Sequence, residues 1–137
     1  MTRLLTSASI PDPFLDYNEL KCEWVAETSW TYKTTLPKVE KLQPHHTAIL
    51  SFDGLDTFAT VYLNSKSILV SDNMFLSHRV DISNELSKST QSNELEIRFE
   101  SAFKKARKIK DGHPEHKWVG YNGDMSRLAV RKAQYHW

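Results

Sequence analysis

The chain has 137 residues, one cysteine and a net charge of +1 from 18 basic and 17 acidic side chains. That length fits a single domain able to bury a core without covalent staples. The near-balance of charge argues against nucleic-acid or membrane-surface binding, and Cys22 alone excludes an intrachain disulfide and a four-cysteine metal site.

Residues 1–10 hold only the Leu4-Leu5 pair, too short for a signal-peptide core. There is no Asn-x-Ser/Thr sequon and no apolar run of membrane-spanning length. With Met1 as the start, a cytoplasmic location is expected. Residues 1–17 read as irregular because Pro11 and Pro13 oppose a helix. Asn18 is positioned to cap a short helix reaching about Ala26, with Leu20, Trp24 and Val25 on one side. The period then becomes two: Trp30, Tyr32, Thr34 and Leu36 mark a half-buried strand ended by Pro37.

Thr47–Phe52 reads as a strand with Ala48, Leu50 and Phe52 on one face. Asp53-Gly54 suggests a tight turn into Phe58–Leu63, an almost wholly apolar or β-branched strand needing neighbours on both sides. Asn64-Ser65-Lys66 turns the chain into Ser67–Val70, and Asp72-Asn73 makes another turn. His78–Ile82 is a short strand and Asn84–Leu86 a single turn. In Glu94–Glu100, Leu95, Ile97 and Phe99 point inward, with Glu94, Glu96, Arg98 and Glu100 toward water. Ser101–Lys110 has a helical period, residues 111–124 a Gly-rich loop, and Arg127–Lys132 a last strand. About seven short strands with one or two short helices indicate an all-β fold, an antiparallel β-sandwich of jelly-roll or immunoglobulin type.

Chemistry-bearing residues are sparse. His113-Pro114-Glu115-His116 contains metal-ligand types, but Pro114 opposes a helix and spacing fixes no third ligand, so a solvated loop and no metal are expected. The cluster Lys104, Lys105, Arg107, Lys108 and Lys110 reads as the wet face of an amphipathic helix. Asp53 and Asp56 flank one turn, where carboxylates more often bond backbone amides than act as a catalytic pair. Cys22 reads as a small buried group and Trp30 as core. Trp118, in the Gly-rich loop, is the best candidate for stacking on a sugar ring. No phosphate loop, nucleophile elbow or zinc motif is present.

Several segments carry a resemblance. Phe52 through Asn64 (FDGLDTFATVYLN) is similar to the F-x-G-L-D-T-x-A-x-V-x-L-N core of the β-mannosidase N-terminal domain. Asp72-Asn73-Met74-Phe75, His78 and Asp81-Ile82-Ser83 resemble the segment that follows it. Arg131 through Trp137 (RKAQYHW) resembles the run at that domain's end, and Glu23-Trp24, Trp30 and Tyr32 match an early E-W-x(5)-W-x-Y pattern. The family is the glycoside hydrolase group that includes β-galactosidases and β-glucuronidases, in its β-mannosidase branch.

The resemblance implies a galactose-binding-like jelly roll over residues 11–137, incomplete at both ends and preceded by an irregular segment at 1–10. It implies downstream immunoglobulin-like and (β/α)₈ barrel domains, the barrel carrying two catalytic glutamates of a retaining mechanism. The substrate class would be β-mannoside oligosaccharides. No catalytic residue and no cofactor are then expected in these 137 residues, and Tyr135, His136 and Trp137 would lie nearest the substrate. Ser65 stands where the family often has Gly, so a different hairpin turn is expected. The isolated chain would be marginal or prone to aggregation through unpaired edges. The alternatives are a free-standing carbohydrate-binding or interaction module and an inactive remnant.

Overall fold

The computed structural model describes residues 4, 7, 9–37, 42–87, 92–117, 119 and 125–133. Among these residues, six strands form two antiparallel sheets. Strands β1 (Trp30–Leu36), β3 (Ala59–Leu63), β4 (Lys66–Ser71) and β6 (Asn93–Phe99) make one sheet in the order β1-β6-β3-β4. Strands β2 (Ile49–Phe52) and β5 (His78–Asp81) pair as the second.

The strands on either side of Asp53-Gly54 do not form a hairpin. β2 pairs with β5, and β3 pairs with β6 and β4. Residues 53–58 are therefore a crossing from one sheet to the other rather than a tight turn between neighbours. Gly54 is required in this crossing, because a Cβ there would collide with the Met74 carbonyl oxygen. The alternation Ala-Thr-Val-Tyr-Leu suits β3 to the middle of a sheet. Ala59, Val61 and Leu63 face Phe99, Ile97 and Leu95 of β6.

The core has two parts. Leu55, Ala59, Val61 and Leu95 meet Leu50 and Phe52 of the second sheet. Leu63, Ile82 and Leu86 meet Ala48, Leu50 and Val80. Val61 and Leu63 are wholly buried, and burial of such side chains contributes about 1.5–3 kcal/mol each.

The hairpin joining β3 and β4 corrects the expectation of another turn. Asn64 (φ 51°) and Ser65 (φ 66°) both take positive φ, the requirement of a two-residue type I′ turn. The Asn64 side chain stabilises this geometry from outside the hairpin. Its Nδ2 donates to Asn93 Oδ1 at 2.8 Å, and its Oδ1 accepts from the Glu94 amide at 3.0 Å. A bulge falls between Val61 and Tyr62, where the pairing passes from Leu69 to Ser67 and skips Ile68. Both Ile68 and Leu69 pack against the core, which a regular alternation would not allow.

Helix α1 (Asn18–Cys22) is shorter than expected and runs into a 3₁₀ turn at Glu23–Val25. Tyr17, not Asn18, is its N-cap, and no side chain caps it. The Asn18 side chain instead donates through Nδ2 to the Asp12 carbonyl, while its Oδ1 accepts from Lys21. Leu20 and Trp24 are exposed, so the apolar side proposed for this helix is not the buried one. Cys22 is the buried residue, as expected, with Sγ 3.7 Å from the Pro11 carbonyl.

Helix α2 (Ser83–Ser87) closes the second core cluster through Leu86. Helix α3 (Ala102–Gly112) starts from Ser101, whose hydroxyl accepts from the Lys104 amide and donates to the Ala26 carbonyl at 2.7 Å. The last expected strand is absent from the described residues. Met125–Ala129 is a 3₁₀ turn, and Arg131 forms only an isolated parallel bridge with Asn73. Arg127 lies over the Phe103 ring at 5.4 Å, so this segment packs on α3 instead of joining a sheet.

Candidate functional site

Three of the segments that carry the resemblance meet in space. Residues 53–58 reach the 72–75 turn through Gly54, which lies against the Met74 carbonyl. The segment 131–133 lies beside both. Arg131 pairs with Asp72 at 3.3 Å, and its carbonyl accepts from the Met74 amide at 3.0 Å. Lys132 pairs with Asp56, which also accepts from the Thr57 hydroxyl. The Ala133 amide donates to Met74 Sδ at 2.8 Å. Asn73 organises the turn, its Oδ1 accepting from the Phe75 amide at 3.0 Å.

Asp56 thus differs from the expected use of a turn carboxylate. Its partners are the Lys132 ammonium and a hydroxyl, and its sequence neighbour Asp53 is exposed. A carboxylate held this way orients a cation. Next to the junction, His78 Nε2 lies 3.2 Å from Ser71 Oγ. Asp81 fixes the following helix, accepting from the Ser83 amide at 2.9 Å and the Ser83 hydroxyl at 2.6 Å. Ser83 Oγ in turn accepts from the Ala48 amide at 2.9 Å. The two bonds from Ser83 hold the Asp81 carboxyl below its ordinary range.

The outer face of the larger sheet carries a second polar group. Glu96 was expected in water but is 7% exposed. Lys33 on β1 reaches it at 2.7 Å and Arg98 on β6 pairs with it, while Arg98 also lies 4.5 Å from the centre of the Tyr62 ring. These side chains cover Glu96, and hydrogen bonds from Lys33 and then Arg98 pull its carboxyl downward. Bonds to Glu96 and Glu94 raise the Lys33 ammonium.

On the inner face beyond the second sheet, Trp30, Tyr32 and Phe99 line an open cleft with Gly54, Leu55 and Asp56. Trp30 is not enclosed core: it lies half-buried against Trp24, centroids 5.9 Å apart, with its indole donating to the Val25 carbonyl. The sugar-stacking candidate Trp118 and the substrate-proximal candidates Tyr135, His136 and Trp137 lie outside the described residues. The two ion pairs that anchor residues 131 and 132 were missed by sequence reasoning. Their partners stand 59 and 76 positions away, and only the joint match of the three segments hinted at their meeting.

Comparisons place this geometry among known proteins. The family model described as glycosyl hydrolase 2 galactose-binding domain-like matches residues 1–137. A β-mannosidase B of Thermothelomyces thermophilus is 53% identical over 128 residues, 93% of this chain and 15% of the relative. One from Emericella nidulans is 50% identical over 134 residues, 98% of this chain and 16% of the relative. A crystal structure of a β-D-mannosidase from Dictyoglomus thermophilum superposes with a TM-score of 0.75 at 29% identity, over 96% of this chain and 16% of that one. An exo-chitosanase from Amycolatopsis orientalis shares the fold, with a TM-score of 0.60 at 22% identity, covering 72% of this chain and 12% of that one. The chain therefore spans about one sixth of the curated relatives it matches and belongs to the glycosyl hydrolase 2 galactose-binding domain-like family.

Proposed function

We propose that this chain serves as the non-catalytic N-terminal sandwich domain of a cytoplasmic β-mannosidase. The enzyme it serves would hydrolyse terminal, non-reducing β-D-mannose residues of oligosaccharides. The observation that carries this reading is the junction of residues 53–58, 72–75 and 131–133. There Asp56 and Asp72 hold Lys132 and Arg131, at the start of the run that continues to Tyr135, His136 and Trp137. Identity of about half over nearly the whole chain to proteins named β-mannosidase B supports the substrate class.

In this reading the sandwich is a rigid frame. Its two ion pairs anchor residues 131 and 132, and Tyr135, His136 and Trp137 would contribute to one wall of a mannose pocket. The catalytic glutamates belong to barrel residues outside this chain's 137. The test is hydrolysis of p-nitrophenyl β-D-mannoside. Residues 1–137 alone should give no turnover, and the same residues joined to the remaining domains of a β-mannosidase B should be active. Within that longer chain, Lys132→Ala should raise KM more than it lowers kcat. Turnover by residues 1–137 alone would overturn the non-catalytic role, and preference of the longer chain for a β-galactoside would overturn the substrate.

One feature favours a second reading. The open cleft of Trp30, Tyr32 and Phe99 beside Asp56 joins aromatic surface to a carboxylate, the pairing that sugar recognition uses. A free-standing carbohydrate-binding module would bind glycans through residues 1–137 and lose that binding in Tyr32→Ala or Trp118→Ala. Absence of glycan binding would remove it.

A further inference from the structure

Where α3 ends, His113-Pro114-Glu115-His116 forms a closed turn, the His116 amide donating to the His113 carbonyl at 3.1 Å. Pro114 occupies the second position of this turn, where its fixed φ is favoured. The His113 amide donates to the Lys110 carbonyl at 3.2 Å and fastens the turn to the last turn of the helix. The proline that rules out a helical metal motif thus builds a different scaffold.

The turn brings the side chains of its first, third and fourth residues together. His113 Nδ1 lies 2.9 Å from Glu115 Oε1. The His113 and His116 rings stack with centroids 5.4 Å apart and planes 15° apart. One ligand atom from each of His113, Glu115 and His116 lies within 4.8 Å of the other two. Ligands at zinc-type bond lengths in a tetrahedron are roughly 3.4 Å apart. Side-chain rotation alone can close such a gap. All three residues are exposed, so an ion enters directly from solvent.

We propose that this turn binds a divalent transition ion of the zinc class through one imidazole nitrogen each of His113 and His116 and the Glu115 carboxylate, with water completing the shell. Two imidazoles and one carboxylate suit zinc, nickel or copper; calcium and magnesium prefer shells made of oxygen. The short His113–Glu115 contact already holds a ring nitrogen beside a carboxylate oxygen, and any proton carried there leaves to solvent as the ion binds. Bound there, it would brace the start of the segment that follows α3.

The test is titration of the 137-residue chain with ZnCl₂ in excess MgCl₂, read by calorimetry and by the visible absorption of Co²⁺ at the same site. One equivalent should bind. His113→Ala and His116→Ala should each weaken binding by more than the roughly tenfold expected of an outer-shell change. Pro114→Gly, which keeps every ligand but loosens the turn, should weaken binding severalfold at unchanged stoichiometry. A His45→Ala/His46→Ala variant should bind as the parent does. No binding by the parent chain, binding retained in the His113→Ala/His116→Ala double variant, or loss in the His45/His46 variant would each overturn the site. The substituted residues are exposed and outside the core, so loss of binding cannot be blamed on unfolding.

Discussion

Strands β1 and β3 alternate alike in sequence and share one sheet, yet their surroundings are opposite. In β3, Ala59, Val61 and Leu63 are buried and the two residues between them are half-covered. In β1 only Trp30 and Leu36 at its ends are half-buried, and the five residues between them are exposed. The difference is position. β3 has a strand on each side and the β2–β5 pair packed over it. Among the described residues β1 is at the sheet edge, paired only to β6, and its inner side chains open onto the cleft of Trp30, Tyr32 and Phe99. A period-two pattern states which side chains share a face; it does not state whether that face is covered.

The sharpest way to break the comparison is to truncate the enclosed strand. Leu63→Ala should cost about 3–5 kcal/mol, because a side chain with no exposure leaves a cavity that the flanking strands cannot close. Chemical denaturation monitored by far-ultraviolet dichroism reads this as a lower midpoint at unchanged slope. A loss under about 1 kcal/mol would mean that β3 is not the centre of the core.

Next in size is the crossing that feeds β3. Gly54→Ala would force its Cβ against the Met74 carbonyl, a backbone group that cannot swing aside, and should cost about 1–3 kcal/mol. It should also disturb the junction of residues 53–58, 72–75 and 131–133, so Lys132 should become more reactive to amine-modifying reagents. A variant as stable as the parent, with Lys132 unchanged, would show that the close approach is not tight.

Asn64→Ala should cost about 1–2 kcal/mol, by removing a residue suited to positive φ and two hydrogen bonds to β6. Asn64→Gly keeps the backbone freedom and loses only the bonds, so it should fall between parent and alanine variant.

These sites also show what was legible in the sequence. The β3 core, the Glu94–Phe99 alternation and the Ser101 start of α3 rest on local pattern, and local pattern suffices for them. The pairing of β2 with β5 does not, because the turn signal of Asp53-Gly54 marks the start of a crossing between sheets and not a hairpin. Glu96 misled for a related reason. Its phase puts it on the outer face, as expected, but Lys33 from β1 and Arg98 cover it there. The segment 127–132 has strand-like composition but meets α3 and a single bridge residue. Of the candidate site, the segments were readable as matching pieces; the Asp56–Lys132 and Asp72–Arg131 pairs joining them were not, being fixed by tertiary packing.

Acid should separate the two regions more gently. Asp81 and Glu96 both have carboxyls held below their ordinary values of 3.8 and 4.5. A lowered folded-state value means stability fully present above the unfolded value and lost as pH falls through the folded one. Stability should therefore be level near neutrality and decline below about pH 4.5. Glu96→Gln should flatten part of that decline, whereas Asp81→Asn should flatten the part tied to the start of α2. Asp81 is exposed, which keeps its share small. An acid limb identical in parent and Glu96→Gln would show that the Lys33 and Arg98 contacts are not maintained in solution.

The smallest effect should come from the exposed strand itself. Tyr32 is 54% exposed and meets Phe99 edge to face at 5.8 Å, a contact of about 0.5–1.5 kcal/mol. Replacement by Thr keeps β-propensity and removes the ring, so the net cost should be about 0.5 kcal/mol, near the limit of detection. The value of the measurement lies in its contrast with Leu63→Ala. If Tyr32→Thr costs as much as the core truncation, then the cleft of Trp30, Tyr32 and Phe99 is covered in solution, most simply by self-association across the β1 edge. Sedimentation of the parent at two concentrations would then show a concentration-dependent species, which Tyr32→Thr would abolish. If the cost is small and the chain sediments as a monomer, β1 is an edge strand whose aromatic face is open, available to a sugar ring or to a neighbouring domain.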